Sequence, residues 1–337
     1  MYRGNRVGVV VPAHNEAAFV GEVLRSMPEF VDKVYAVDDG SADDTWSEIL
    51  AAAGDGEEST TILADGSGFS DGVLVEGPAD RLVAVRHARN RGVGAAIKTG
   101  YRLARRDGMD VTTVVSGDGQ MDPDILDRII HPVATGRADY AKGDRLSNPE
   151  HRAGMSGWRL FGNTLLTGLT RLASGYWGLS DPQNGYTAIS GTALDRLSLE
   201  SLYDRYGFAN DLLVRLNAAD LRITDVPMAA VYGDERSGIR YRTFVPVLSW
   251  LLLHRFGWRL WTRYVRREFR PFVLAFPLGA GAALVGLPWL VTSLLGPGGV
   301  GPPLVVLLLS VCLLVAGFLG DMAHSSHLEA VTAEGSV

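Results

Sequence analysis

The feature that most constrains this chain is the stretch between Arg270 and Asp321, which contains no charged residue. Within it, residues 272–295 form an apolar run that would be roughly 36 Å long as a helix rising ~1.5 Å per residue. That length exceeds the hydrocarbon core of a bilayer, which is about 30 Å thick. A second apolar run covers residues 304–320, and the glycines and prolines at 296–303 predict a tight turn between the two. The pattern therefore predicts a transmembrane hairpin over 272–320.

The alternative is a pair of buried helices in a soluble domain, but core helices of this length rarely lack every charge. The flank before the hairpin indicates its orientation. Residues 254–271 contain six arginines and one acidic residue, Glu268, and arginine at this density beside a span stays on the cytoplasmic side. Tryptophan and tyrosine between these arginines are typical of helices in the headgroup layer. We predict amphipathic juxtamembrane helices over 244–271 and a cytoplasmic tail over 321–337.

Composition excludes several classes of protein. The formal net charge of −6 argues against a general nucleic-acid-binding protein, so no nucleic-acid partner is expected. The single cysteine, Cys312, excludes a disulfide scaffold and a cysteine-rich zinc site. The 337 residues are enough for one large domain or two smaller ones.

Residues 1–243 show the alternation of apolar strands and helices that is typical of an α/β domain with a mostly parallel, doubly wound sheet. The predicted strands cover residues 7–11, 33–38, 82–86 and 111–115. The predicted helices cover residues 17–26, 43–52 and 93–105. The polar, glycine-rich residues 54–80 are predicted to form a surface loop.

Polar side chains follow three of the predicted strands, at 12–16, 38–41 and 116–123. Ligands of open α/β sheets bind beyond the carboxyl ends of the strands, so carboxylates from these three segments are expected to share one cleft. Oxygen ligands such as Asp118 and Gln120, without cysteine or paired histidine nearby, favour Mg²⁺ or Mn²⁺. A dehydrogenase is excluded because no glycine-rich turn follows the first strand.

The same segments resemble glycosyltransferase family 2, which has the Rossmann-like GT-A nucleotide-sugar fold. Within that family the chain is similar to dolichyl-phosphate mannose synthases and polyprenyl-phosphate glucosyltransferases. The resemblance covers roughly residues 7–240 and is carried by six short motifs, at 10–16, 37–41, 90–96, 117–123, 183–186 and 208–213.

The resemblance implies roles for individual residues. The donor nucleotide would be bound by Pro12, His14, Glu16, Asp39 and Gly117. The metal would be held by Asp118 and Gln120, although Ser116 replaces the first carboxylate of the usual Asp-x-Asp motif. Arg145 would face the donor or the acceptor phosphate. The acceptor phosphate would contact Arg236, Ser237 and Arg240, in a segment that lacks the lysine found in related mannose synthases.

The chemistry leaves the role of Asp211 open. A lipid phosphate with a second pKa of ~6 is largely deprotonated at neutral pH and can attack the anomeric carbon without a strong base. Asp211 would then orient the sugar or the metal ligands. A hydroxyl acceptor would instead require Asp211 to take its proton. A structural role as a carboxylate at a helix N-terminus is the third alternative.

The sequence therefore predicts a membrane-anchored, metal-dependent, inverting glycosyltransferase in the cell membrane, with two spans and a cytoplasmic catalytic domain. It would transfer a hexose from UDP-glucose or GDP-mannose to a polyprenyl or dolichyl phosphate, using Mg²⁺ or Mn²⁺. The juxtamembrane arginines are expected to hold the acceptor phosphate, and the hairpin is compatible with a homo-oligomer. The alternatives are transfer to a hydroxyl of a glycan or glycolipid, and a catalytically degenerate GT-A membrane scaffold.

Overall fold

The computed structural model describes residues 1–54, 59–63, 72–76, 81–146, 157–229, 241–296 and 298–330. The strands are β1 (Val7–Ala13), β2 (Lys33–Asp38), β3 (Ser59–Leu63), β4 (Gly72–Glu76), β5 (Leu82–His87), β6 (Val111–Val114), β7 (Tyr140–Asp144), β8 (Thr187–Ser190) and β9 (Ile223–Pro227). The helices are α1 (Val20–Arg25), α2 (Thr45–Ala53), α3 (Val93–Arg106), α4 (Leu126–Ala134), α5 (Gly157–Ser174), α6 (Gly191–Arg196), α7 (Phe208–Ala218), α8 (Tyr241–Trp261), α9 (Ala275–Leu295) and α10 (Gly301–Ser325).

The described strands form one sheet in the order β3-β4-β5-β2-β1-β6-β8-β7-β9. Its centre is parallel, because β1 pairs in parallel with both β2 and β6, and β2 pairs in parallel with β5. All seven residues of β1 are buried. Val10 belongs to the apolar cluster on one face of the sheet, and Val9 and Val11 belong to the cluster on the other face. The predicted fold class, a mostly parallel α/β sheet, is confirmed.

Two parts of the sheet differ from the prediction. The expected surface loop at 54–80 is wrong for its described part, because β3 and β4 form an antiparallel pair that extends the sheet beyond β5. β3 forms the edge of the sheet, and β4 lies between β3 and β5. The glycines and polar residues around the two strands indicate a loop, and the tertiary pairing overrides that local pattern. The other half of the sheet is mixed, because β8 runs antiparallel to both β6 and β7.

Helix α8 connects the α/β domain to the apolar hairpin. It begins at Tyr241, packs on α5 and α7, and shares an apolar cluster with them through Leu248 and Leu252. A π-helical turn over Thr262–Arg267 follows it and leads to the first apolar helix. The predicted juxtamembrane segment therefore lies against the α/β domain along much of its length.

Helices α9 and α10 pack on each other as a hairpin. Gly279 allows close contact, because a Cβ at this position would lie 2.9 Å from the Leu314 side chain, and the Ser310 hydroxyl donates a hydrogen bond to the Gly279 carbonyl at 2.7 Å. Small residues at such contacts are typical of helix pairs in membranes. Helix α10 has 25 residues and is longer than the predicted run at 304–320. Both helices are long and apolar enough to cross a bilayer, and little of their surface is buried.

The chain returns to the α/β domain after α10. Asp321, near the end of α10, is fully buried and pairs with Arg259 of α8, with oxygen–nitrogen distances of 2.7 and 2.8 Å. Further along, the Ala330 amide donates to the carbonyl of Ile223 in β9 at 2.9 Å. Both ends of the hairpin are therefore attached to the same domain.

Candidate active site

The carboxyl ends of β1, β2 and β6 lie side by side, as the sequence predicts. The Asp39 amide after β2 donates to the Ala13 carbonyl of β1 at 2.9 Å. The Gly117 amide after β6 donates to the Pro12 carbonyl at 3.1 Å. The structure thus brings the segments that carry Pro12, Asp39 and Gly117 to one edge of the sheet.

The loop after β1 is fixed to the loop after β2 through Asn15. Its amide donates to the Ser41 hydroxyl at 3.0 Å, and its side-chain oxygen accepts from the Ala42 amide at 2.9 Å. Asn15 has a φ of 58°, in the left-handed region that asparagine tolerates better than most residues. This loop presents His14 and Glu16, both of which are half-buried. Asn15 is a positioning residue for which the sequence analysis gave no role.

Asp39 organises the loop before α3. Only 3% of it is exposed, and its carboxylate accepts hydrogen bonds from the amides of Arg91 and Gly92, at 3.0 and 2.7 Å. His87 Nδ1 lies 2.7 Å from the same carboxylate. Burial raises the pKa of Asp39, but the hydrogen bonds from His87, Arg91 and Gly92 outweigh it and hold the pKa below its ordinary value. Asp39, which was predicted to bind the donor nucleotide, therefore accepts hydrogen bonds from within the protein.

His87 has a hydrogen-bond partner at each ring nitrogen. The Thr99 hydroxyl lies 3.0 Å from His87 Nε2 and 3.1 Å from the Ala95 carbonyl oxygen. His87 Nδ1 faces the Asp39 carboxylate, so the ring ties the Asp39 loop to α3 through Thr99. The sequence gives no sign of this pair, because Asp39 and His87 are 48 residues apart in the chain.

The predicted metal residues lie in the loop after β6. Asp118 and Gln120 are both half-buried, and Asp118 Oδ1 accepts a hydrogen bond from the Gln120 amide at 3.0 Å. Among the described residues, no group of three or more histidine, cysteine, aspartate or glutamate side chains is arranged to hold a metal ion. One carboxylate and one amide oxygen suit a hard cation only if the donor diphosphate supplies further oxygens. The donor set fits Mg²⁺ or Mn²⁺ on that condition.

The neighbouring Asp122 has a structural role. Its side chain accepts from the Asp124 amide at 2.9 Å, at the start of a short 3₁₀ turn that begins with Pro123. Its carbonyl accepts from the Tyr186 hydroxyl at 3.0 Å. Asp122 therefore caps this turn at its N-terminus, and Pro123 occupies the first helical position.

Arg145 is oriented by a buried carboxylate that the sequence analysis did not identify. Its Nε lies 2.7 Å and one terminal nitrogen 3.1 Å from the two oxygens of Asp181, which form a bidentate pair with the guanidinium. Asp181 is almost fully buried, whereas 29% of the Arg145 side chain is exposed. The pair with Asp181 therefore fixes the direction of a guanidinium on a partly exposed side chain.

Asp211 is fully buried and bound from three sides. Arg255 of α8 lies 2.7 Å from one carboxylate oxygen, and Arg215, one turn along α7, lies 3.3 Å from it. The Tyr203 amide donates to the other oxygen at 2.9 Å. The Arg215 guanidinium also stacks on Trp258 of α8, 5.0 Å from the ring centroid. The structure places Asp211 at the contact between α7 and α8.

The juxtamembrane arginines face carboxylates. Arg255 pairs with Asp211 and Arg259 with Asp321, while Arg263 and Arg267 both pair with Asp220. These pairs compensate the arginine charges only in part, because Arg263 and Arg267 share one carboxylate and Arg266 is exposed. The expectation that the juxtamembrane arginines hold the acceptor phosphate stays a prediction. The other predicted acceptor residues, Arg236, Ser237 and Arg240, lie outside the described residues.

Comparison with known proteins identifies a matching family model and several similar proteins. The model of the family described as glycosyl transferase family 2 matches residues 8–197. The UDP-N-acetylglucosamine–dolichyl-phosphate N-acetylglucosaminyltransferase of Methanococcus voltae is 28% identical over 227 residues, which are 67% of this chain and 86% of that protein. The undecaprenyl-phosphate mannosyltransferase of Micrococcus luteus is 27% identical over 270 residues, covering 74% of this chain and 96% of that protein. A crystal structure of glucosyl-3-phosphoglycerate synthase from Mycobacterium tuberculosis aligns with a TM-score of 0.49 and 19% identity, over 76% of this chain and 80% of the other.

Proposed function

The chain belongs to glycosyltransferase family 2, and on that premise we propose that it transfers a sugar from a nucleotide-sugar to a polyprenyl phosphate at a membrane. Relatives named for dolichyl and undecaprenyl phosphate support the acceptor class. The same relatives differ in the sugar they are named for, N-acetylglucosamine in one and mannose in the other. The donors to test are thus UDP-N-acetylglucosamine as well as UDP-glucose and GDP-mannose.

The observation that carries the proposal is the state of Asp211. A hydroxyl acceptor needs a general base, and such a base must be able to reach the acceptor proton. The Asp211 carboxylate is instead buried between Arg215 and Arg255. A phosphate acceptor is already ionised at neutral pH and attacks without such a base. The geometry therefore favours a phosphate over a hydroxyl, with Asp211 as a positioning residue that docks α8.

The residues at the carboxyl ends of β1, β2 and β6 are proposed to bind the donor and the metal ion. Pro12, His14, Glu16 and Gly117 are proposed to contact the donor nucleotide, with Asp39 holding the loop before α3. A Mg²⁺ or Mn²⁺ ion held by Asp118 and Gln120 would stabilise the negative charge of the leaving nucleoside diphosphate. Arg145 is proposed to face a phosphate of the donor or the acceptor, since a guanidinium fixed in direction binds a planar set of oxygens well.

The hairpin is proposed to anchor the enzyme with both of its ends on the side of the catalytic domain. The ion pair between Arg259 and Asp321 and the hydrogen bond from Ala330 to Ile223 support this, because they join both ends to one domain. The excess of arginine before α9 supports the cytoplasmic side. The exposed Trp250 and Trp261 of α8 suit the headgroup layer.

The test uses the purified full-length protein in detergent with Mg²⁺ or Mn²⁺. Release of UDP or GDP is followed for each donor, with and without polyprenyl phosphate. We expect one donor to give release that depends on the lipid and is lost in EDTA. Release that ignores the lipid would contradict the acceptor class, and a complete lack of release would favour a membrane scaffold.

A further inference from the structure

The segment that follows α10 makes a specific contact with the α/β domain. Leu328 is buried in the apolar cluster on one face of the sheet, and the Ala330 amide donates to the Ile223 carbonyl in an isolated β-bridge beside β9. Between them, the Glu329 side chain faces the loop after α5. Its two carboxylate oxygens lie 2.9 and 3.0 Å from the Gly178 amide nitrogen, which donates to them.

This contact is closely fitted. A Cβ added at Gly178 would lie 2.6 Å from Glu329 Oε2, so a larger residue there would require the carboxylate to move. Burial raises the pKa of the Glu329 carboxyl above its ordinary value, and the hydrogen bond from Gly178 opposes that shift. A half-buried acidic side chain thus reaches one particular backbone amide of the loop.

The loop that contains Gly178 continues to Asp181, which has a left-handed backbone conformation. The Ser180 amide donates to Asp225 at 2.7 Å, and Lys142 Nζ donates to the Asp181 carbonyl at 3.2 Å. Asp181 has a φ of 35°, in the left-handed region that is uncommon for residues other than glycine and that aspartate visits occasionally. A backbone in that region persists only where its surroundings hold it. The contacts at Gly178, Ser180 and Asp181 supply that restraint.

The loop ends at the carboxylate that orients Arg145. The Asp181 carboxylate binds the Arg145 guanidinium at 2.7 and 3.1 Å. Asp181 lies three residues after Gly178, whose amide donates to Glu329. We propose that Glu329, on the tail that follows the second apolar helix, is a positioning residue that fixes the loop at Gly178 and thereby sets Asp181 and Arg145. The expected effect on transfer rests on the proposed function. The contact at Gly178 would connect the attachment of the hairpin to the geometry of the site.

The kinetic test compares four variants of the full-length protein in the transfer assay. Glu329→Ala should lower kcat/KM about tenfold, which corresponds to 1.4 kcal/mol and is near the lower end for a hydrogen bond to a charged group. Glu329→Ala should change the same kinetic parameter, kcat or KM, as Arg145→Ala does, and by a smaller factor. Glu329→Gln keeps an acceptor oxygen and should restore most of the activity. His327→Ala, at an exposed position in the same tail, is the matched control and should behave as wild type.

Hydrogen exchange tests the positioning role without relying on transfer. In Glu329→Ala, amides within 175–186 should exchange faster than in wild type, while those of the central strand β1 stay protected. Gly178→Ala should give the same change, and combining the two substitutions should add little. Unchanged exchange in Glu329→Ala would overturn the proposal. A kinetic defect in a different parameter from that of Arg145→Ala would also overturn it. A protein without transfer activity would refute the proposed function and leave the exchange result to decide the positioning role.

Discussion

The buried ion pair between Arg259 and Asp321 predicts how strongly the hairpin is attached to the catalytic domain. Both side chains are 0% exposed, and two oxygen–nitrogen contacts of 2.7 and 2.8 Å join them. The Tyr264 hydroxyl donates a third hydrogen bond to Asp321 at 2.7 Å. Asp321→Ala would leave the guanidinium buried, with only uncharged acceptors such as the Ala173 carbonyl at 2.9 Å.

Removing one partner of a buried ion pair costs about 3–5 kcal/mol, because the other charge stays buried without compensation. At roughly 2–4 °C per kcal/mol for a domain of 150–250 residues, the expected fall in Tm is about 6–20 °C. The assay is thermal unfolding of the full-length protein in detergent, followed by tryptophan fluorescence. Arg259→Met combined with Asp321→Leu removes both charges and should recover most of the lost Tm.

Glu268→Ala is the matched control, because Glu268 pairs with Arg270 at an exposed site. Exposed pairs contribute about 0–1 kcal/mol, so its Tm should stay within a few degrees of wild type. A Tm of Asp321→Ala that equals that of Glu268→Ala would refute the reasoning. A double variant as unstable as Asp321→Ala would do so as well.

Four further substitutions test other parts of the account. Asp118→Ala should lower transfer by about 10²–10³-fold, the effect of losing charge stabilisation in a transition state, with an unchanged Tm; full activity would exclude the metal role. Asp211→Asn should destabilise the protein but keep kcat within about tenfold, whereas a general base would cost about 10²–10⁴-fold. Asp39→Asn should lower the Tm at pH 7, and because the native pKa of Asp39 is lowered, the difference from wild type should shrink below about pH 4; a difference independent of pH would contradict the pairing. Gly279→Leu should destabilise the hairpin by about 1–3 kcal/mol through contact with Leu314, which a thermal scan in detergent measures, and an unchanged Tm would argue against this packing.

The parts of the fold that could be predicted from the sequence are those with a strong local pattern. The apolar run of β2 predicts residues 33–38, and the strand found is Lys33–Asp38. The charge-free run likewise predicts α9 and α10. Strand β7 was not predicted, because it contains Lys142 and Asp144, two buried charged residues. Lys142 is compensated by Asp225, which is far away in the chain, and no local pattern shows such a partner.

The candidate site divides in the same way. The loops after β1, β2 and β6 follow from the rule that ligands bind at the carboxyl ends of parallel strands. The partners that fix those residues depend on tertiary contacts. Examples are His87 beside Asp39, Asp181 beside Arg145, and Arg255 beside Asp211. Sequence reasoning could name the chemistry of Asp211 but not its burial, and its burial decides which role we propose.

The most direct test of the central claim is the mass of the lipid product. The full-length protein is incubated with UDP-N-acetylglucosamine, UDP-glucose or GDP-mannose, Mg²⁺ or Mn²⁺ and polyprenyl phosphate, and the extracted lipid is analysed by mass spectrometry. The account predicts one new species, equal to the polyprenyl phosphate plus one sugar less one water, that is absent in the Asp118→Ala variant. A sugar found on a hydroxyl acceptor, or no lipid-linked sugar from any of the three donors, would contradict it.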